Sequence, residues 1–131
     1  MDCPKDGSIM VEKHVGKTRL DFCSGCNGIW MDWGELGKIS GNTVTEHELK
    51  YRGKSGRRCP KCGRQMNKAD IHSVIVEECR CGLFFDAGEA EDVIGRKLTL
   101  TREMRLKRSQ VDELMEKGSI LVGDTELFIE E

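Results

Sequence analysis

The spacing of the cysteines constrains the fold of this 131-residue chain more than any other feature. Cys59-Pro-Lys-Cys62 is followed, after sixteen residues, by Cys79-Arg-Cys81. Near the start of the chain, Cys3-Pro-Lys-Asp6 is followed, after the same gap, by Cys23-Ser-Gly-Cys26. Each of these short turns presents a pair of ligands, and we call such a turn a knuckle. Two knuckles with room for a β-hairpin between them are typical of a ribbon that binds a tetrahedral metal ion. The sequence therefore predicts two such ribbons in tandem.

The repeat extends past the last cysteine of each unit. Residues 28–36 align with residues 82–90 at an offset of 54 positions, whereas the earlier ligands are related by 56. In both copies an aspartate precedes a glutamate by three positions, which is the spacing of a helix-capping box, and a glycine follows where a helix would end, at Gly41 and Gly95. Each unit is predicted to consist of a hairpin, a knuckle, a strand and a short capped helix.

These motifs resemble a known family. Cys23 to Leu36 is similar to the pattern C-x-x-C-G-G-x-W-x-D-x-G-E-L of the transcription-factor-IIB-type zinc-finger (zinc-ribbon) family, with Asn27 in place of the first glycine. The second copy departs further, because Cys79-Arg-Cys81 is one residue short and Phe84 stands where Trp30 does. The resemblance implies a zinc-ribbon fold and metal binding.

We therefore expect a small, metal-stabilised α+β protein with tandem zinc ribbons, each followed by a short helix, and with a C-terminal helix and β-hairpin. The assigned segments are the first zinc ribbon with its helix (1–41), a basic linker (42–58), the second zinc ribbon with its helix (59–95), and the C-terminal helical segment with the β-hairpin (96–131).

The C-terminal segment lies beyond the resemblance. Apolar residues between Leu100 and Met115 have the spacing of one face of a helix, which Gly118 would end. Gly123-Asp124 then separates two apolar runs, which predicts a β-hairpin. Because an isolated hairpin is only marginally stable, we expect it to pack on the ribbons or to mediate self-association.

The second metal site has four predicted thiolate ligands: Cys59, Cys62, Cys79 and Cys81. Four thiolates saturate zinc and leave no open position, so the site is predicted to be structural. With 37% hydrophobic and 5% aromatic residues, the chain has little material for a core. A structural zinc ion contributes on the order of 10 kcal/mol to such a unit. We therefore predict two Zn²⁺ ions as the cofactors that allow residues 1–95 to fold.

The first metal site is predicted to use Cys3, Asp6, Cys23 and Cys26, because a carboxylate is an acceptable zinc ligand. In the alternative, Asp6 only accepts hydrogen bonds from the knuckle backbone, and His14 or a water molecule completes the metal's coordination. A water in that position would give a route to metal-assisted hydrolysis.

The charge of the chain is unevenly distributed. Seven thiolates add seven negative charges and two Zn²⁺ add four positive ones, so the formal net charge of −2 becomes about −5 in the metal-bound form. Two segments are nevertheless basic, within residues 50–58 and 96–108. The nucleic-acid-binding residues predicted on this basis are Lys50, Arg52, Lys54, Arg57, Arg58, Arg102, Arg105, Lys107 and Arg108.

The function predicted from these observations is that of a non-catalytic zinc-binding module that docks on a macromolecular assembly. The acidic total charge slightly favours a protein partner, and RNA or DNA is a close second. Helix capping accounts for the paired carboxylates, so no catalytic residue and no small-molecule substrate are predicted. A rubredoxin-like iron and redox protein is one alternative, and a metal-assisted hydrolase at the Asp6 site is the other.

The cysteine pattern also bears on the compartment. The odd number of cysteines and a first segment without an apolar run favour a reduced, cytoplasmic protein over a secreted one. The short apolar runs predict no association with a membrane.

Overall fold

The computed structural model of the chain describes residues 1–107 and 125–130. The first ribbon comprises three strands and a helix: β1 (Val11–Val15), β2 (Thr18–Phe22), β3 (Ile29–Asp32) and α1 (Trp33–Ser40). The second ribbon has the same order: β5 (Gln65–Ile71), β6 (Val74–Cys79), β7 (Gly82–Phe85) and α2 (Glu89–Ile94). Between the ribbons lie a 3-10 turn (Glu46–Glu48) and strand β4 (Lys50–Arg58), and after them come β8 (Arg102–Lys107) and β9 (Thr125–Glu130).

Each ribbon contains the predicted hairpin. In the second ribbon the turn is tighter than the sequence suggested, because only His72 and Ser73 separate the two strands. Both residues have positive φ, at 49° and 67°, as a type I′ turn requires. The His72 ring holds this turn in place, since Nδ1 lies 2.8 Å from the carbonyl oxygen of Val93 and Nε2 lies 3.1 Å from a carboxylate oxygen of Glu48.

The two ribbons form one antiparallel sheet. Within the described residues its strand order is β1-β2-β3-β7-β6-β5-β4, so the third strands of the two ribbons pair at the centre. Trp30 of β3 lies directly opposite Phe84 of β7, which is its own equivalent in the repeat. The ribbons are therefore related by an approximate two-fold axis that passes between these two rings.

Two glycines permit this close approach. A Cβ atom on Gly28 would lie 2.5 Å from the Phe84 ring, and a Cβ atom on Gly82 would collide with the carbonyl oxygen of Met31. Real Cβ atoms need more than 3 Å, so side chains at these positions would force the two central strands apart. The glycine that follows the second knuckle in each repeat is thus a requirement of pairing between the ribbons.

The two faces of the sheet bury different groups. Because side chains alternate along a strand, Ile29 and Met31 point to one face of β3 and Trp30 points to the other. The helices cover the first face and complete an apolar core of Leu20, Ile29, Met31, Leu36, Ile39, Val44, Ile71, Val76, Leu83, Phe85, Ala90 and Val93. On the opposite face, Trp30 and Phe84 pack with Met10, Met66 and the buried cysteines of both knuckle clusters.

Part of the expected basic linker is a strand. Residues 50–58 form β4, which pairs with β5 through two irregularities in register. Ser55 is buried in this strand, and its hydroxyl contacts the Glu77 carboxylate. The segment forms a strand because of a tertiary contact that its own sequence does not reveal. The edge of β5 would otherwise be unpaired, and even a glycine-rich, charged segment can form hydrogen bonds along it.

The C-terminal segment also differs from the predicted helix. Residues 102–107 form β8, and their alternating sequence, with Met104 and Leu106 two apart, suits a strand as well as a helix. Just before it, Thr101 pairs with His14 through backbone hydrogen bonds of 2.6 and 2.8 Å, which fix the chain beside β1.

The second strand of the predicted hairpin is present as β9, but it pairs in parallel with β8. The rest of the predicted helix and the first hairpin strand lie outside the described residues. Among the helices that the structure describes, none has the length and apolar character needed to span a membrane.

Candidate metal centres

The second ribbon gathers its four cysteines into one cluster. The sulfur atoms of Cys59, Cys62, Cys79 and Cys81 all lie within 4.8 Å of one another. The Sγ atoms of Cys62 and Cys79 are 3.4 Å apart. Two thiolates on a tetrahedral zinc ion, at about 2.3 Å each, would be about 3.8 Å apart. The cluster therefore has the size and the ligand type of a zinc site.

The first ribbon gathers Cys3, Asp6, Cys23 and Cys26 in the same way, again within 4.8 Å. The Sγ atoms of Cys3 and Cys26 are 3.6 Å apart, and Cys23 Sγ lies 3.4 Å from Asp6 Oδ1. A carboxylate oxygen at about 2.1 Å and a sulfur at about 2.3 Å from zinc would be separated by about 3.6 Å. The donor set fits a second zinc ion.

Asp6 occupies its position with help from two neighbours. Its Oδ1 accepts the backbone N–H of Ser8 at 2.9 Å, which holds the pKa of the carboxyl below its usual value. A Cβ atom on Gly25 would lie 2.5 Å from Asp6 Oδ2, so a side chain there would displace the carboxylate from its present position. Asp6 thus lies among the thiols, as the predicted ligand set requires, and its carboxylate also accepts a backbone hydrogen bond.

His14 is not part of this cluster. It lies on β1, and its side chain is buried while its backbone pairs with Thr101. The ligand atoms that lie within 4.8 Å of one another do not include those of His14, so the structure does not bring this residue to the first metal site.

Backbone N–H groups point at the sulfur atoms in both ribbons. Cys3 Sγ accepts a hydrogen bond from the backbone N–H of Lys5 at 3.4 Å, and Cys26 Sγ accepts one from the backbone N–H of Gly28 at 3.3 Å. Cys59 Sγ accepts from Lys61 at 3.4 Å and from Cys62 at 3.5 Å. Such hydrogen bonds favour thiolate, which is the form that binds metal.

The unligated thiols differ in acidity. Burial raises the pKa of Cys3 and of Cys59 to about 12. Cys62 lies at the surface, where the backbone N–H of Arg64 stabilises its thiolate and lowers its pKa to about 7. Metal binding must therefore displace protons from the buried cysteines, which couples the folded state to the metal.

Asn27 occupies the position where the family pattern has its first glycine. Its φ is 61°, and its backbone N–H donates to the Cys23 carbonyl at 2.7 Å to close the knuckle. Asparagine tolerates this left-handed conformation better than most residues with a side chain. The departure from the family pattern leaves the first metal cluster intact.

The helix caps of the two repeats differ. In the first, Asp32 Oδ1 accepts the Glu35 N–H at 2.7 Å and Glu35 Oε1 accepts the Asp32 N–H at 3.0 Å, which confirms the predicted capping box. In the second, only the glutamate half forms, because α2 begins after Gly88. The Asp86 carboxylate instead accepts a hydrogen bond from the guanidinium group of Arg57, at 3.0 Å.

A reciprocal pair of ion pairs joins each knuckle to the other ribbon. Lys5 of the first knuckle lies 3.8 Å from Asp86, and Lys61, its equivalent, lies 3.8 Å from Asp32. These ion pairs were not predicted from the sequence, although both the lysine and the aspartate recur in the repeat. The exchange follows from the two-fold relation of the ribbons.

The predicted basic segment 50–58 is partly neutralised. Arg52 lies 3.4 Å from Asp70, and Arg57 contacts both Glu77 and Asp86. Four predicted cations of β4 are exposed, namely Lys50, Arg52, Lys54 and Arg58, and of these four only Arg52 forms an ion pair within the described residues.

The other predicted basic residues fall on the C-terminal segment. Three of them lie on β8, namely Arg102, Arg105 and Lys107, and Arg108 is outside the described residues. Nucleic-acid binding by either basic segment stays a prediction.

Together the fold and the two clusters define a double zinc ribbon, a class of metal-binding protein. The family profile described as "Transcription factor zinc-finger" matches residues 2–40 and 58–96, and the chain belongs to this family. The two matched segments confirm the tandem repeat, and with the clusters they support two zinc ions. Comparisons with curated proteins and with solved structures find no match.

Proposed function

We propose that this protein is a non-catalytic docking module in which zinc supports the surfaces that bind a macromolecular partner. The observation that carries the proposal is the composition of the two clusters. Each brings together four side chains, which is the full coordination number of structural zinc. A zinc ion surrounded in this way has no position left for a substrate or an activated water.

The pairing of the ribbons supports the same proposal. One continuous sheet joins both metal sites, and the Trp30 and Phe84 rings fill the space between the clusters. Such a unit holds its surface groups at fixed separations, so that a partner binds without the entropy cost of ordering loops.

The first ribbon offers an apolar surface suited to a protein partner. The side chains of Ile9 and Val11 are 74% and 42% exposed, and they lie on the same side of the chain that leads into β1. The equivalent positions of the second ribbon are Gln65 and Asn67, which are polar and lie beside β4. At these two equivalent positions, the exposed apolar side chains are therefore particular to the first ribbon.

Affinity capture from the source cell, after nuclease treatment, tests this proposal. We expect a defined protein partner to be retained by the wild-type protein and lost with Ile9→Asp. The matched control is Ile75→Asp, which changes a 46% exposed isoleucine on the second ribbon. Equal capture by all three forms, or retention of no partner, would contradict the proposal.

A further inference from the structure

Four exposed cations surround the second metal cluster. Each lies within two positions of a cysteine of the cluster, so that they occupy one end of the ribbon. We call this set the arginine face, and it consists of Arg58, Lys61, Arg64 and Arg80.

The charges of the arginine face are largely unpaired. Within the described part of the chain, Arg64 and Arg80 form no ion pair, and the guanidinium of Arg58 donates only to the carbonyl oxygen of Gly63, at 3.1 Å. Lys61 has one distant partner, Asp32, at 3.8 Å. Unlike the cations of β4 that meet acidic neighbours, these remain available to an anionic ligand.

The first ribbon serves as an internal control. The equivalents of the four cations are Asp2, Lys5, Ser8 and Ser24, whose charges cancel. Both metal sites have the same formal charge, because three thiolates and a carboxylate balance Zn²⁺ as four thiolates do. The arginines are therefore not needed to offset the charge of the metal centre.

An exposed aromatic ring lies beside this face. Tyr51 is 64% exposed, and it lines a shallow hollow of about 230 Å³ together with Trp33 and Arg80. Glu46 and Glu78 also line this hollow. The Glu78 carboxylate accepts a hydrogen bond from the Asn67 side chain at 2.8 Å, which occupies one of its oxygens.

We propose that the arginine face and Tyr51 bind single-stranded nucleic acid, with the phosphates on the cations and a base stacked on the tyrosine ring. This proposal rests on the docking function and names a partner class for the second ribbon. A guanidinium group can donate two parallel hydrogen bonds to the oxygens of one phosphate, and any base can stack on an aromatic ring. An acidic protein partner is less favoured, because protein interfaces centre on buried apolar groups, and Tyr51 is the one aromatic side chain named here that is largely exposed.

Fluorescence anisotropy with labelled single strands tests the proposal, using zinc-loaded protein and RNA and DNA oligonucleotides of one sequence. We expect binding at about 50 mM salt that weakens steeply as salt rises. Arg64→Ser with Arg80→Ser, which installs the residues of the first ribbon, should weaken binding about tenfold or more and reduce the slope of log K against log salt by about 1.4. Tyr51→Ala should weaken binding at least about fivefold.

The control is a variant that removes two exposed cations elsewhere, Arg19→Ser with Lys38→Ser, and we expect it to bind within about twofold of wild type. The proposal is overturned by absent binding at low salt, by equal loss in the control, or by equal affinity for polyglutamate. A difference between the RNA and DNA arms identifies the preferred strand. If the wild-type protein binds no oligonucleotide but its nuclease-resistant capture of a protein partner is intact, this inference alone is refuted, because the capture assay depends on the first ribbon.

Discussion

Gly28→Ala is the change that most directly probes the contact between the two ribbons. The new methyl group would lie 2.5 Å from Cζ of Phe84 and 2.9 Å from two further ring atoms. Favourable carbon contacts need about 3.5–4.0 Å, so the ring must move by about 1 Å. Phe84 is only 1% exposed and packs against Trp30, which leaves it little room to do so.

The expected cost follows from the packing. Overfilling a dense core typically costs about 1–3 kcal/mol. For a chain of this size we expect a fall in the midpoint of thermal unfolding of roughly 3–5 °C for each kcal/mol. Gly34→Ala is the matched control, because its methyl group would approach only Asp32 Oδ1, at 3.4 Å, within helix α1. That change should leave stability equal or raise it by a few tenths of a kcal/mol.

Denaturation of zinc-loaded protein, with the zinc content measured for each variant, provides the assay. A double-mutant cycle with Phe84→Leu separates the contact from general effects of alanine, since a smaller side chain at Phe84 should recover part of the loss from Gly28→Ala. Wild-type stability in Gly28→Ala, with both zinc ions bound, would refute the pairing of the ribbons through β3 and β7.

Three further predictions concern the metal site and the helix caps. Asp6→Cys should keep both zinc ions and bind the first more tightly, as a chelator competition would show; loss of that zinc would contradict the assignment. Asp32→Ala removes the N-cap of α1 and should lower the free energy of unfolding, measured by urea denaturation, by about 1 kcal/mol. An unchanged midpoint would contradict a stabilising role for this cap. Burial raises the pKa of Glu35, so stability from this group is present below its ordinary pKa and is lost as pH rises through its native pKa. Glu35→Gln, which still accepts the backbone N–H, should therefore be at least as stable as wild type near neutral pH, and a loss of more than about 1 kcal/mol would disprove this.

The metal clusters were predictable because their ligands lie in short local turns. The spacing of Cys59 and Cys62 leaves few conformations in which both can reach one ion, and the repeat assigned the same position to Asp6. Capping signals in the first repeat were equally local, and the structure confirms them at Asp32 and Glu35.

The pairing of the two ribbons was not predictable, because it depends on contacts far apart in the chain. Gly28 and Gly82 are compatible with many turns, and only the opposite strand reveals why a side chain is excluded. The β4 segment has weak strand propensity, and it becomes a strand because β5 and the Ser55 contact with Glu77 hold it. At β8, the apolar spacing suited a helix or a strand, and the pairing with β9 decided between them.

Native mass spectrometry during chelator titration, with circular dichroism recorded on the same samples, tests the central claim that zinc builds this fold. We expect two zinc ions per chain and loss of cooperative structure as they are removed, because buried thiols and a small core cannot hold the sheet alone. A metal-free chain that still melts in one cooperative transition would contradict it.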